Sequence, residues 1–326
     1  MSALDPCEFR SIGERDVRVT RLGLGCAPLG NLFRAVDSDM ARATVDAAWD
    51  AGLRLFDTAP LYGHGLSEKR VGDALRDRPR DEYVLCTKVG RVLVPDASAG
   101  GDSIFVDTPL ARPVFDFTGD GVRRSIEDSL DRLGLDRIDI AHVHDPDDHL
   151  DQAISEALPA LIALRDEGII RAVGCGMNAV EPLLRIVECV DVDVVLLAGR
   201  YSLLDRSGAV DLLPRCAERG IGVIVGGVFN SGLLADPDND STYDYESASD
   251  ELRARTQAMR STCERFGVSL TAAAIGFAAR HPAVTSVIVG ARSPAEIIDD
   301  VDAASSDLPN ELWDALLGGP DLNETR

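Results

Sequence analysis

The segment Val192-Asp193-Val194-Val195-Leu196-Leu197 is followed, one helix-length later, by Ile221-Gly222-Val223-Ile224-Val225. Both runs are β-branched and apolar, without strict alternation of apolar and polar residues. That pattern fits strands buried on both faces of a parallel sheet. Between them, residues 209–219 have the apolar spacing of an amphipathic helix. The same alternation extends in both directions. Strands are expected at residues 21–25, 54–57, 83–88, 139–144, 170–174, 192–197, 222–226 and 286–289. Helices are expected at 39–51, 68–76, 121–133, 150–167, 180–189, 209–219, 251–266, 270–280 and 294–304. Eight β/α units in a chain of 326 residues point to an α/β fold, a closed (β/α)8 TIM barrel. No Pro/Gly/Ser linker divides the chain, so residues 1–326 read as one domain. Two long connections, 90–120 and 229–250, follow strands 3 and 7. Both leave C-terminal strand ends, where barrel enzymes build their sites.

Composition narrows the function classes. There are 55 acidic residues against 33 basic ones, a formal net charge of −22, which disfavours nucleic acid and anionic membrane surfaces as partners. Hydrophobic residues make up 45% of the chain, enough to bury a full core. No apolar stretch approaches the roughly 18 residues of a membrane-spanning helix. Asp5 and Glu8 interrupt the N-terminal region, which has no signal-type apolar run. The seven cysteines (7, 26, 86, 175, 189, 216 and 263) are scattered and form no CxxC pair. Reduced thiols and a cytoplasmic location are the expectation.

The chemistry concentrates at strand ends. Asp57 ends the second strand in Phe56-Asp57-Thr58-Ala59-Pro60-Leu61-Tyr62-Gly63, and Tyr62 lies in the loop beyond. Lys88 ends the third strand and His144 the fourth. A barrel puts these four on one rim of one cavity. A phenol is a weak acid at neutral pH, and an adjacent ammonium favours its phenolate. A carboxylate keeps that ammonium charged and fixed, and an imidazole can donate to a carbonyl oxygen. Together they form a proton donor and acceptor poised over a carbonyl or alcohol. The chain contains only two lysines, Lys69 and Lys88, and uses arginine elsewhere. A compact charge that perturbs a neighbour is a role for lysine rather than for the planar guanidinium. Lys69, just past the loop, reads as a surface residue.

These motifs resemble the aldo-keto reductase family, and the resemblance covers nearly the whole chain. Further matching segments are Leu22-Gly23-Leu24-Gly25, Ser67-Glu68, Thr87-Lys88, Arg124-Ser125, Ser129 through Gly134, His144-Asp145, Gly290-Ala291-Arg292-Ser293 and Leu312-Trp313. The resemblance implies a barrel with NAD(P)-dependent hydride transfer to or from a carbonyl carbon. It assigns the catalytic tetrad to Asp57, Tyr62, Lys88 and His144, with Tyr62 as general acid in reduction and general base in oxidation. Other stretches, such as Phe115-Asp116-Phe117, Gly174-Cys175-Gly176-Met177-Asn178 and Phe229-Asn230-Ser231-Gly232-Leu233-Leu234, resemble the bacterial sugar and pyridoxal dehydrogenase branch. That branch oxidises free aldoses at C1 or pyridoxal at its 4-position, so the implied partner is a small carbonyl or alcohol substrate.

The resemblance places the cofactor along Asn178, Phe229, Ser231, Gly232, Leu233, Gly290, Arg292, Ser293, Glu296 and Asp300. Several positions depart from the family pattern. Gly176-Met177 and Ala198 stand where many members hold the carboxamide with Ser-Asn and Gln, so Asn178 would substitute. Gly226 stands where a tyrosine usually stacks on the nicotinamide, so Phe229 would cover that face. Glu296 and Asp300 favour ribose hydroxyls and repel a 2′-phosphate, while Arg292 argues the other way. The balance favours NAD over NADP.

Other signals carry less. Gly23 through Gly30 has the spacing GxGxxxxG with Pro28 inside, not a dinucleotide fingerprint, and reads as the first barrel strand with its loop. His142 and His144 form an HxH pair on one strand, which raises a metal-dependent barrel hydrolase as a rival. The remaining histidines (64, 149 and 281) are poorly placed to complete a ligand set, and no metal is expected. A second rival is a non-catalytic redox sensor that keeps the nucleotide. The acidic cluster 145–151 reads as the N-terminal cap of the following helix. Tyr243 and Tyr245 suggest a lid over the site.

Overall fold

The structure, a computed structural model, describes residues 3–98, 104–238, 242–243 and 246–318. Eight parallel strands close into a barrel: β1 (Leu22–Gly25), β2 (Leu55–Asp57), β3 (Val84–Val89), β4 (Ile140–His144), β5 (Ala172–Met177), β6 (Val194–Ala198), β7 (Gly222–Gly226) and β8 (Val284–Gly290). Each strand pairs with its neighbours in chain order, and β8 returns to β1 with Val289 opposite Leu24. Around them stand α1 (Ser38–Asp50), α2 (Leu66–Leu75), α3 (Gly119–Leu133), α4 (residues 150–166), α5 (Val180–Cys189), α6 (Leu212–Glu218), α7 (Asp250–Arg265), α8 (Leu270–Ala278), α9 (Pro294–Ala304) and α10 (Asn310–Leu317). The eight expected strands are thus the eight barrel strands. The largest shift is in β5, expected at 170–174 and found at Ala172–Met177. Asp37, Thr118, Ser249, Ser269 and Ser293 cap their helices by accepting a first-turn backbone N–H.

The two-residue period of each strand divides the core. Leu55, Val84, Cys86, Ile140, Ala172, Val194, Leu196, Ile224 and Ile288 fill the barrel. Their neighbours, such as Leu85, Val143, Val173, Val195 and Val223, face the helices in a separate and larger cluster. The unbroken apolar runs of the sequence are therefore two faces of one strand, each dry. Lys88, His142 and His144 fall on the inward positions of their strands, in step with Cys86 and Ile140. Gly174 makes room for them, since a Cβ there would stand 2.6 Å from Nδ1 of His142.

Two features lie outside the sequence reading. An antiparallel hairpin, Phe9–Ser11 with Arg18–Thr20, precedes β1. Its Ile12, Val17 and Val19 join the interior cluster and plug the end of the barrel opposite the catalytic rim. Inside the 90–120 connection, Arg91–Pro95 pairs antiparallel with Ala111–Phe115. Both of those strands contain a proline, which masks a strand signal. Residues 99–103 of that connection lie outside the described residues, as do 239–241 and 244–245 of the second, so Tyr245 does too. Tyr243 sits in a two-residue strand with its hydroxyl 3.5 Å from Asp205.

The acidic cluster 145–151 does not cap α4. Neither the 3-10 turn Asp147–His149 nor the helix start has a side-chain cap. Asp145 bonds Arg91 and Asp151 bonds Arg185 instead. The guanidiniums compete successfully for carboxylates that local spacing alone would give to backbone N–H groups.

Candidate active site

Beyond β2 the chain turns back on itself through Thr58–Tyr62. Gly63, His64 and Gly65 all have left-handed backbones, with φ of 63°, 50° and 87°. Gly63 packs directly on the loop after β1, where a Cβ would stand 2.3 Å from the carbonyl oxygen of Gly30. That contact explains the glycine at position 30, in the loop that follows the first barrel strand. Ser67 clamps the same junction. Its Oγ donates to the Cys26 carbonyl and lies 2.8 Å from Thr58 Oγ1. The Tyr62 loop is therefore a built platform rather than a free strand-to-helix link.

All four predicted residues meet on it. Lys88 Nζ donates to Asp57 Oδ2 at 2.7 Å, to the Thr58 carbonyl at 2.9 Å and to Tyr62 Oη at 3.1 Å. These three bonds use every N–H of the ammonium. The rings of Tyr62 and His144 meet edge-on with centroids 5.8 Å apart. Asp57, Lys88 and His144 are buried, and Tyr62 is half-buried. The register accounts for the convergence. Asp57 lies opposite Cys86, Lys88 opposite His142, and His144 opposite Gly176, so each strand lifts its functional group one inward step above the last.

Burial and charge set the protonation states. Burial lowers the Lys88 ammonium's pKa, but attraction to Asp57 and Tyr62 outweighs it and holds the group above its ordinary value. Burial pushes the Asp57 carboxyl up, and the Lys88 ammonium opposes this. Burial, the charges of Lys88 and Arg91, and the adjacent His142 hold His144 far below its ordinary value, so it is a neutral imidazole at pH 7. Nε2 of His144 faces Asp145 Oδ2 at 3.5 Å, while Nδ1 is buried without a partner. A neutral ring with its N–H on Nε2 can donate to a carbonyl oxygen without carrying charge.

A surrounding network fixes the lysine strand. Glu68, fully buried on α2, accepts from Thr87 Oγ1 at 2.7 Å and from Arg132 Nε at 2.6 Å. It ties the residue before Lys88 to α3. Lys69 is exposed, as its reading as a surface residue anticipated.

Among the described residues, the potential metal-ligating atoms that cluster are those of Asp57, Cys86 and His142, all buried and within 4.8 Å of one another. The donor set fits a cation poorly. Asp57 is committed to the Lys88 ammonium, whose charge would oppose a second cation, and burial with that charge lowers His142 to about 3. His144 is not a member, so the HxH pair does not form a shared ligand pair.

The candidate cofactor residues lie along the same rim, after β5, β7 and β8. Asn178 follows β5 and is half-buried, with its carbonyl accepting from Arg200. Phe229 packs partly against the main core. Leu233, expected along the cofactor, is instead fully buried in the core, and its N–H already donates to the Asn230 carbonyl, so it offers no surface to a ligand. Asn230, Ser231 and Gly232 run in left-handed conformation, φ 46°, 59° and 101°, in a tight turn whose Asn230, Gly232, Leu233 and Leu234 N–H groups donate to carbonyls of the same loop. Asn230 Oδ1 and Arg292 Nε are buried without partners, one acceptor and one donor on the segments after β7 and β8. α9 opens toward Gly290 with Ser293 as its cap, and Glu296 accepts from the Arg292 backbone N–H. The unpaired polar atoms and the N-terminus of α9 fit an anionic dinucleotide. When bound, its nicotinamide supplies or takes the hydride.

Asp300 is 7% exposed, and burial together with Glu296 and Asp299 pushes its carboxyl from 3.8 to about 7. A folded-state value above the unfolded one means the folded state binds more protons between them. Stability from this group therefore falls as pH rises from about 4 to about 7 and then levels. Asp300→Asn is expected to raise the melting temperature at pH 8, by up to about 4 kcal/mol of stability, with the gain disappearing at pH 4. Thermal melts at the two pH values check this.

Three features near the tetrad escaped the sequence reading. Thr58 offers its carbonyl to Lys88, Phe105 lays its ring against Tyr62 with centroids 6.1 Å apart, and Arg91 pairs with Asp145. The last two come from the long connection after β3, where no periodicity announces which residue turns inward.

Residues 21–317 match the aldo/keto reductase family. The chain is 44% identical to D-threo-aldose 1-dehydrogenase from Pseudomonas sp, over 91% of this chain and 93% of that one. It is 40% identical to pyridoxal 4-dehydrogenase from Microbacterium luteolum, over 96% and 97%. Among solved structures, glycerol dehydrogenase from Gluconobacter oxydans superposes with a TM-score of 0.78 at 26% identity, over 96% of this chain and 94% of that one. With a closed barrel of matching topology and a family match across nearly its whole length, the chain belongs to the aldo/keto reductase family.

Proposed function

We propose that the whole chain is one catalytic unit that transfers hydride between a nicotinamide cofactor and C1 of a free aldose, or a similar small aldehyde, with Tyr62 moving the proton. The observation that carries this reading is the three-way contact of Lys88 Nζ with Asp57, Thr58 and Tyr62 Oη. In oxidation the ammonium stabilises the phenolate, and Tyr62 Oη accepts the hydroxyl proton. In reduction the same oxygen returns it. His144 donates from Nε2 and orients the substrate oxygen. Asp57 keeps the ammonium charged. The similarity to an aldose dehydrogenase and a pyridoxal dehydrogenase supports small polar aldehydes or hemiacetals as substrates.

NAD is the preferred cofactor in this reading. Glu296 puts a carboxylate in the first turn of α9, where a 2′-phosphate would meet repulsion, and the buried Asp300, only partly ionised at pH 7, adds to it. A reducing cytoplasm suits the seven free cysteines, and no described helix is long and apolar enough to cross a membrane. A net charge of −22 keeps polyanions out as partners.

Thermal shift with NAD and NADP, in both redox states, followed by initial rates on free aldoses, pyridoxal and simple aldehydes, tests the reading. The expected result is stabilisation by the nicotinamide dinucleotide, greater with NAD, and turnover of at least one aldose. Tight nucleotide binding with silence across the panel would favour the redox-sensor alternative.

A further inference from the structure

Asp145 directly follows His144, yet the proton-transfer chemistry does not need it. Its backbone is left-handed, with φ of 41°, a conformation that costs energy for any residue other than glycine. Its N–H donates to the Gly176 carbonyl at 3.0 Å, so β5 holds it in that state. The carboxylate faces the same space as the catalytic imidazole, with Oδ2 at 3.5 Å from His144 Nε2. The same oxygen accepts from Arg91 Nη2 at 3.1 Å. Oδ1 accepts from no described residue, and the side chain keeps 31% of its surface, against 8% for His144. Arg91 is the first residue of the hairpin after β3 and lies 4.9 Å over the Phe115 ring. Its Nη1 likewise donates to no described residue.

A free carboxylate oxygen and a free guanidinium N–H therefore adjoin beside the group that orients the reacting oxygen. A hydroxyl can donate to the first and accept from the second, and two neighbouring hydroxyls satisfy both at once. We propose that Arg91 and Asp145 form a subsite for vicinal hydroxyls, which selects neutral polyhydroxy aldehydes over aldehydes that lack hydroxyls. A phosphate or carboxylate on the substrate would meet the Asp145 charge. This rests on the reading that the reacting carbon sits at Tyr62 and His144, and it adds which residues read the rest of the substrate.

Two variants test it. Asp145→Gly removes the carboxylate where glycine adopts the left-handed backbone freely, and Asp145→Asn keeps the volume while removing the charge. Initial rates on free aldopentoses and aldohexoses are compared with rates on benzaldehyde. For Asp145→Gly, kcat/KM is expected to fall about tenfold to a hundredfold further for the aldose than for benzaldehyde, mainly through KM. Asp145→Asn should show a smaller difference of the same sign. Arg91→Leu carries the same expectation from outside the strand, should the Asp145 variants fail to fold. Equal losses on both substrates would mean that Asp145 only positions His144, which overturns the proposal. Wild-type protein that turns over benzaldehyde and no aldose overturns it while leaving hydride transfer intact. Wild-type protein that turns over neither sinks both readings.

Discussion

Tyr62→Phe is expected to lower kcat by about a hundredfold to ten-thousandfold, the usual worth of a positioned proton donor, while nucleotide binding persists. The substitution removes one atom, Oη, which touches Lys88 at 3.1 Å. The ring keeps its contacts with His144 and Phe105, so the platform should stay folded. The loss should appear in kcat rather than in KM, because the proton moves only in the transition state. Steady-state rates with an active substrate, alongside a nucleotide titration, make the measurement. Undiminished turnover in the variant would remove Tyr62 from the mechanism.

Lys88→Met is expected to abolish activity and also to cost about 3–5 kcal/mol of stability, because it strands a buried carboxylate. Methionine fits the channel that the lysine stem occupies, so packing alone does not predict such a loss. The charge does. Asp57 Oδ2 loses its ammonium partner, and Oδ1 is already buried without one. Burial would then act on Asp57 unopposed and raise its carboxyl further above the unfolded value. A raised folded-state value penalises folding above the unfolded pKa of about 3.9 and not below it. The melting-temperature gap between wild type and variant should therefore be widest at pH 8 and narrow toward pH 4. Adding Asp57→Asn should recover much of the stability and none of the turnover. A Lys88→Met protein as stable as wild type at pH 8 would mean that the pair contributes nothing to the fold.

The barrel was legible because strand burial has a local signature. Val194 through Leu197 and Ile221 through Val225 are apolar on both faces, and only a sheet covered on both sides hides such runs. The tetrad was legible for a related reason. Asp57, Lys88 and His144 lie at the C-terminal ends of their strands, and closing a barrel converts three positions distant in sequence into one rim. The cap proposed for residues 145–151 failed because it weighed only neighbours in the chain. Arg91, 54 residues away, takes the Asp145 carboxylate instead. The N-terminal hairpin was missed because its outer strand is exposed along its whole length, so it carries no periodic pattern.

The residue sequence by itself determined the fold class, the order of the strands and the identity of four reactive groups. Each of these follows from local periodicity and from the side chains that end each strand. Tertiary structure alone decided which lone pairs meet which protons. It set Lys88 on the Thr58 carbonyl, buried the neutral His144, left Asp57 Oδ1 and Asn230 Oδ1 unpaired, and brought Arg91 across to Asp145. Hydrogen bonds and pKa values depend on distances of a few ångströms between segments far apart in the chain. Those distances come from the barrel's register and from the paths of its loops, which no local pattern encodes.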